Sequence, residues 1–246
     1  MALSPRSERA GSLSVKAALG IRELVFSGEV APGERLSEIT LSSRLGLSRT
    51  PIRAALAQLE QEGVLEAIPS GGYAARRFTQ SEVADAIELR GVLEGTAARF
   101  AAERGVAPFR LQAVHGLLAE LDRIVAAPDD MDFEAYMARN GEFHEQLQTL
   151  SGSDIIRREL ERVSRLPFAG PNNFITAQAE MPEVRASLVV AQTQHRAIVN
   201  AIEMREGTRA EAIAREHARL ARTNLDLMIE DGRLMTKVPG LSLVSG

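Results

Sequence analysis

The chain has 246 residues, enough for two modest domains with real cores, and 45% of them are hydrophobic against 25% charged, an ordinary balance for a globular protein. It has no cysteine, which excludes disulfides and thiolate metal sites, and no run approaches the ~18 apolar residues of a membrane span. The net charge of -4 divides unevenly: residues 1–78 carry +2 and the remainder -6, so the front is mildly basic and the rest acidic.

Residues 1–11 are polar and lack a signal-peptide core; they read as a disordered N-terminus of a cytoplasmic protein. From Ser12 to Gly28, Leu13, Ala17, Ile21, Leu24 and Val25 make one helical stripe. A Pro32-Gly33 turn leads into the stretch Leu36–Arg77, which reads as helix, tight turn, helix and two-stranded ribbon. Leu36, Ile39 and Leu41 begin an apolar face, and Gly46 allows the sharp turn between Leu45 and Leu47. Thr50 stands as the N-cap with Pro51 at the first helical position. Ile52, Leu56 and Leu59 then recur at helical spacing up to Gly63. Val64–Ile68 and Tyr73–Arg77 are strand candidates around Pro69-Ser70-Gly71-Gly72. The pattern over residues 12–78 is a winged helix-turn-helix.

Ser48, Arg49, Thr50 and Arg53 cluster at the start of the second helix of that motif, off its apolar face. Free N–H groups and positive charge there suit phosphates, and a forked guanidinium can reach guanine O6 and N7. Gly71, Gly72 and Arg76 in the wing, with Arg77 beside them, extend the DNA-facing set. The plainer alternative is a solvated surface, although arginines at a helix start oppose the helix dipole. The run LSEITLSSRLGLSRTPIRAALAQLEQEGVLEAIPSGGYAAR resembles the DNA-binding domain of GntR-type bacterial transcription regulators, with SRTPIRAAL the most specific match.

After residue 78 the pattern is helical throughout. Thr79-Gln80-Ser81-Glu82 has capping-box form and opens a helix to about Arg104. Further helices are predicted from Pro108 to Ala127, Met131 to Leu150, Asp154 to Leu166, Glu183 to Arg205 and Thr208 to Glu230. Residues 79–230 therefore read as an all-helical bundle of about six helices with no strand, and residues 231–246 as a loose tail.

The four histidines, His115, His144, His195 and His217, all fall on predicted helices, and Asn140 lies one turn before His144. Each histidine alone reads more readily as a hydrogen-bonded residue than as a ligand, but imidazoles from three helices can converge in a bundle on Zn, Ni, Fe or Mn. NGEFHEQL, QHRAIVNAI and REHARLA resemble three signatures of the FCD effector-binding domain of the FadR subfamily of GntR regulators. That resemblance implies a metal held by Asn140, His144, His195 and His217, with His115 outside the set. The family's usual first ligand is Asp; the neutral amide of Asn140 is a weaker donor and leaves a bound cation more positive.

IELRGVLEGTAARFAAERG resembles the first helix of the same domain, in which Arg90 pairs an effector carboxylate or closes an intrahelical ion pair with Glu94. The loop LPFAGPNNF resembles the VanR branch, whose best-known members sense aromatic acids. Phe168, Phe174 and its two asparagines line a pocket or form a packed connection. The expectation is a homodimeric, ligand-responsive repressor, released from a palindromic double-stranded DNA operator by a small carboxylate, with no membrane partner. The alternative is a metal-dependent hydrolase with an accessory nucleic-acid-binding domain. His144-Glu145-Gln146-Leu147-Gln148 approaches the HExxH motif but ends in Gln148, losing the second ligand.

Overall fold

A computed structural model describes residues 5–126, 130–166, 168–172, 182–230 and 240–245. The chain divides into two compact units, one holding residues 1–80 with 239–246, the other residues 81–238.

In the first unit, α1 (Pro5–Phe26) precedes β1 (Arg35–Leu36), α2 (Glu38–Leu45), α3 (Arg49–Gln61), β2 (Leu65–Ala67), β3 (Tyr73–Ala75) and β4 (Phe78–Thr79). The helix begins at Pro5, inside the segment that composition alone assigned to a disordered N-terminus. The three-stranded sheet runs β1-β3-β2, all antiparallel, with Arg35 opposite Ala74 and Leu65 opposite Ala75. Ser37 caps α2 by accepting from the Thr40 N–H, and Gly46 ends it in the left-handed region at φ 63°, which a residue with a Cβ resists. Ile21 and Val25 of α1 and Ile52, Leu56 and Leu59 of α3 are fully buried. That apolar seam holds the motif together.

Two local expectations fail here. Ile39 is 69% exposed rather than part of the apolar face, because Leu36 and Leu41 already fill the inward positions of this short turn and helix. The N-cap of α3 is Ser48, not Thr50: Ser48 has the extended backbone of a cap and Arg49 is the first helical residue.

The second unit is built from α4 (Gln80–Arg104), α5 (Pro108–Val125), α6 (Phe133–Leu150), α7 (Asp154–Ser164), α8 (Pro182–Glu203) and α9 (Gly207–Glu230). Asp132 and Ser153 cap α6 and α7 through side-chain oxygens. Its core joins Ala98 and Ala101 of α4, Leu118 and Leu121 of α5, Phe143 and Leu147 of α6, Ile198 and Ile202 of α8, and Ala214 of α9. α4 and α9 approach closely because α4 is glycine-bearing at the contact. A Cβ at Gly91 would lie 2.8 Å from the Ala218 Cβ, and one at Gly95 2.9 Å from Arg215 Cγ and 3.0 Å from the Glu211 carbonyl.

The C-terminal residues also depart from expectation. Residues 240–245 are not loose: after a 3-10 turn at Leu241–Leu243, β5 (Val244–Ser245) pairs in parallel with β4, Phe78 facing Val244. Leu241 and Leu243 are buried, and the Gly240 N–H donates to the Phe26 carbonyl. Apolar burial explains the ordering, and a strand does therefore occur after residue 78. Residues 231–239 lie outside the described residues.

Candidate functional site

The first candidate site is the start of α3. Ser48, Arg49, Thr50 and Arg53 are all exposed, on the side away from Ile52, Ala55 and Leu56. Ser48 occupies the cap without using its hydroxyl to cap, and the first N–H groups of α3 are left for an external acceptor. The arginines are organised by a residue that the sequence did not single out. Glu38, at the start of α2, accepts from Arg49 Nε at 3.1 Å and from Arg53 Nε at 2.7 Å, one through each carboxylate oxygen. Hydrogen bonds from Arg53 and then Arg49 hold its carboxyl below the usual range. Gly71 and Gly72 form the exposed wing tip at φ 84° and 95°, conformations that glycine alone adopts readily. Arg76 is half-buried with its guanidinium over the Phe78 ring at 5.1 Å, and exposed Arg77 donates to the Pro32 carbonyl.

The second candidate site is the interior of the helical unit. His144 of α6, His195 of α8 and His217 of α9 are buried and turn their Nε2 atoms toward one another, 3.0 Å for His195–His217 and 3.4 Å for His217–His144. Their outer nitrogens are engaged: His144 Nδ1 with Glu94 Oε1 at 2.9 Å, His195 Nδ1 with Gln192 Oε1 at 3.1 Å, and His217 Nδ1 with Gln194 Oε1 at 3.2 Å. Gln192 donates its amide nitrogen to the Leu118 carbonyl and to Asp122, so its oxygen must face His195. Acceptors at all three Nδ1 positions place the protons there and leave the three Nε2 lone pairs aimed at one point.

Three converging lone pairs repel unless a cation lies between them. Nitrogens at about 2.0–2.1 Å from one metal stand roughly 3.0–3.4 Å apart in octahedral or tetrahedral geometry. This matches the His195–His217 and His217–His144 separations, and the ligand atoms of all three lie within 4.8 Å of one another. Burial, then the neighbouring histidines, lower the pKa of His195, and burial with His144 brings that of His217 to about 3. Both rings are therefore neutral, as ligands must be. The donor set fits a divalent metal.

A cavity of about 40 Å³ adjoins this centre, lined by Arg90, Tyr136, Asn140, His144, Ser187 and His217 among others. Arg90 is 2% exposed, its Nε has no hydrogen-bond partner, and its nearest carboxylate oxygen, on Glu94, is 3.9 Å from the guanidinium. The intrahelical pair with Glu94 thus exists but leaves a buried guanidinium donor unspent. Burial pushes the Glu94 carboxyl up, yet His144 and Arg90 outweigh it and hold the group at about 2, so it stays ionised. Burial likewise raises the Tyr136 phenol, which stays protonated.

Asn140 is buried on the cavity wall and donates its amide nitrogen to Asn172 Oδ1 at 2.8 Å. His115 lies apart from the centre, exposed and paired with Glu203 at 2.6 Å. In the loop before α8, Phe168 is buried at φ 65° and does not line the cavity, whereas Pro171 does. Asn173 and Phe174 lie outside the described residues. The sequence offers Glu94 only as an ion-pair partner of Arg90 and Asn172 only as one of the two asparagines of its loop, and it gives Gln192 and Gln194 no role. Their partners lie far along the chain or, for Gln192, one turn away on a helix where a glutamine reads as surface.

Comparison with known proteins places both units. The FCD domain profile matches residues 85–220, and that of the bacterial regulatory proteins of the gntR family matches residues 13–74. The chain is 29% identical over 218 residues to an uncharacterized HTH-type transcriptional regulator in an unstable DNA locus of Streptomyces ambofaciens, covering 82% of this chain and 80% of that one. It is 32% identical over 147 residues to the Nta operon transcriptional regulator of Aminobacter aminovorans, covering 59% and 68%, and 26% identical over 196 residues to the HTH-type transcriptional repressor GlaR of Escherichia coli, covering 78% and 86%. Among solved structures, E. coli McbR/YncC superposes with a TM-score of 0.62 at 20% identity over 89% of this chain and 98% of that chain, a likeness of fold. These relatives are transcription regulators, and no finding supports the hydrolase alternative. With a helix-turn-helix in front and a histidine-centred helical domain matched over more than half its length, the chain belongs to the gntR family of bacterial regulatory proteins and carries an FCD domain.

Proposed function

We propose that this transcription regulator is a homodimeric repressor that leaves a palindromic operator when a small organic carboxylate enters the cavity beside the three histidines. The observation that carries the reading is Arg90: a buried guanidinium with an unpartnered Nε, on the wall of a cavity that also exposes His144 and His217. A buried cation with unused donors is unfavourable unless an anion meets it, and a carboxylate accepts from a guanidinium in two parallel bonds. His144, His195 and His217, with Asn140 beside them, would hold a divalent metal, which supplies Lewis-acid positions for carboxylate oxygens. Tyr136 and Ser187 offer hydroxyls for a further oxygen on the effector. The cavity volume corresponds to only a few water-sized occupants, which favours a compact acid.

On DNA, Arg49 and Arg53 read or clamp the major groove from the tip of α3, with Gly71, Gly72 and Arg76 following the backbone through the wing. The repressor reading draws on GlaR, named a repressor, and on nothing in the geometry. The test is a footprint of the purified dimer on the DNA upstream of its own gene, repeated with a panel of small acids. One acid should release the wild type at concentrations that leave Arg90→Gln bound, with DNA affinity of the two proteins equal in its absence. Release of both proteins alike would remove Arg90 from effector binding, and absence of any sequence-specific footprint would overturn the operator reading.

A further inference from the structure

Asn140 presents a difficulty that an acid in its place would not. A carboxylate offers oxygen from either side, whereas an amide offers oxygen on one side and an NH2 group on the other, and an NH2 group repels a cation. The amide must therefore be held one way round if it is to serve the histidine centre.

The structure holds it. Asn172 Nδ2 donates to the Met137 carbonyl at 2.8 Å. A carbonyl only accepts, so Asn172 is fixed with its nitrogen on α6 and its own Oδ1 turned to Asn140. That oxygen in turn only accepts, so Asn140 must point Nδ2 at it, as it does at 2.8 Å. The Asn140 oxygen is thereby left at the edge of its amide group that does not face Asn172. Room for this arrangement comes from Gly141, where a Cβ would stand 3.2 Å from the Asn172 nitrogen. The Met137 carbonyl, the bare face at Gly141 and the Asn140 amide thus form a seat for one side chain of the loop preceding α8.

We infer that Asn172 is a positioning residue that sets the amide of Asn140 oxygen-first toward a metal held by His144, His195 and His217. This rests on the reading of the histidine centre as a metal site. It gives the loop at residues 168–172 a place in that centre, because Pro171 lines the cavity next to the residue that fixes Asn140.

The experiment is Zn2+ titration of the metal-stripped full chain by calorimetry, without effector, with His217→Ala as the blank. Asn172→Ala should weaken Zn2+ binding about 10–100-fold, the range seen when a partner orienting a metal ligand is lost. In the background Asn140→Asp, whose carboxylate has no wrong side, the same change should weaken binding by less than about threefold. Gly141→Leu keeps a good helix former in α6 while filling the seat of Asn172, and should reproduce the pattern in both backgrounds. Equal losses in the two backgrounds, or a loss under threefold with Asn140 intact, would overturn the role of Asn172 while leaving the metal site standing. A wild type that binds no Zn2+ beyond the blank would bring down the site and this inference together.

Discussion

Glu94 on α4 and His144 on α6 meet in the interior through a 2.9 Å contact between Oε1 and Nδ1, both side chains about 3% exposed or less. The carboxylate does two jobs at once. It accepts the Nδ1 proton, which turns the basic Nε2 toward His217, and it supplies the only carboxylate within 4 Å of the Arg90 guanidinium among the described residues. Glu94→Ala removes both, leaving Arg90 as a buried charge without a counter-charge, and should destabilise the fold by about 3–5 kcal/mol. Glu94→Gln keeps an acceptor for His144 but no charge, so it should fold better than the alanine variant and still hold metal about 10–100-fold less tightly than wild type. Urea unfolding and metal titration of the two variants beside the wild type check this. A Glu94→Gln variant as stable as the wild type would show that the charge is unimportant, and equal stability of the two variants that the acceptor is.

Acid should weaken the protein in a defined order. His195 and His217 titrate lower in the folded chain than in the unfolded one, so the unfolded state binds the extra protons first. Their neutral burial is therefore fully compatible with folding above pH 6.5, and stability falls as the pH drops from there toward the folded values, about 3 for His217. At pH 5 the loss from His217 is about 2 kcal/mol, from about 1.36 kcal/mol per pH unit below 6.5, and His195 acts in the same direction. Glu94 is depressed to about 2, so its contribution is present above its ordinary value of 4.5 and is lost only as the pH falls through about 2. Melting curves of the metal-free protein should decline between pH 6.5 and 4, with a smaller decline in His217→Ala than in the wild type. A flat profile for the wild type over that range contradicts neutral burial of these rings.

The order in which features became readable follows their physics. Periodicity located the helices, because burial of one face repeats along the chain and leaves its mark at every turn. It misplaced Ile39 and the α3 cap, where one residue decides and no repeat averages the error. Residues 240–245 escaped because a short strand paired with residues 78–79 has no local signature. The three histidines could be counted in the sequence, yet only the resemblance of their surrounding motifs joined them. Composition says nothing about which helices face inward together. Glu94 read as an ion-pair partner four residues from Arg90, and its stronger contact is with His144, 50 residues away. Asn172 and Glu38 share that fate: each acts on a residue already noticed, through a contact that only folding creates.

Close packing of α4 against α9 brings Arg90 and Glu94 into the same interior as His217, and it depends on glycine. At Gly95 an added Cβ meets the Glu211 backbone carbonyl at 3.0 Å, and backbone cannot step aside as a flexible side chain can. Helix propensity alone would make Gly95→Ala stabilising by about 1 kcal/mol. Overpacking of about 1–3 kcal/mol opposes it, so the net change should be zero to moderately destabilising, with larger losses for Gly95→Val. The readout is the urea midpoint beside metal affinity: a helix pushed outward should weaken the histidine centre as well. A clear stabilisation by Gly95→Ala with unchanged metal binding would mean that the helices can separate without consequence.

The arginines of α3 face a choice that Glu38 sets. Off DNA, its two oxygens hold Arg49 and Arg53, keeping the guanidiniums ordered and partly neutralised in an exposed position. A surface pair of this kind adds little to stability, because water screens it. Its effect should instead appear in DNA discrimination. Arg49→Ala should lose about 1–3 kcal/mol of operator affinity and relax sequence preference at its base, whereas Arg76→Ala should weaken all sequences alike and reduce the salt slope by about 1. Glu38→Gln keeps the shape but releases the charge. Nonspecific affinity should rise, because a negative group no longer stands beside the phosphates, and the ratio of operator to random-sequence binding should fall, because neither guanidinium is held in place. Competition assays at two salt concentrations separate these outcomes. If Glu38→Gln strengthens operator and random DNA equally, the carboxylate is only a counter-charge; if the ratio falls, it helps aim Arg49 and Arg53.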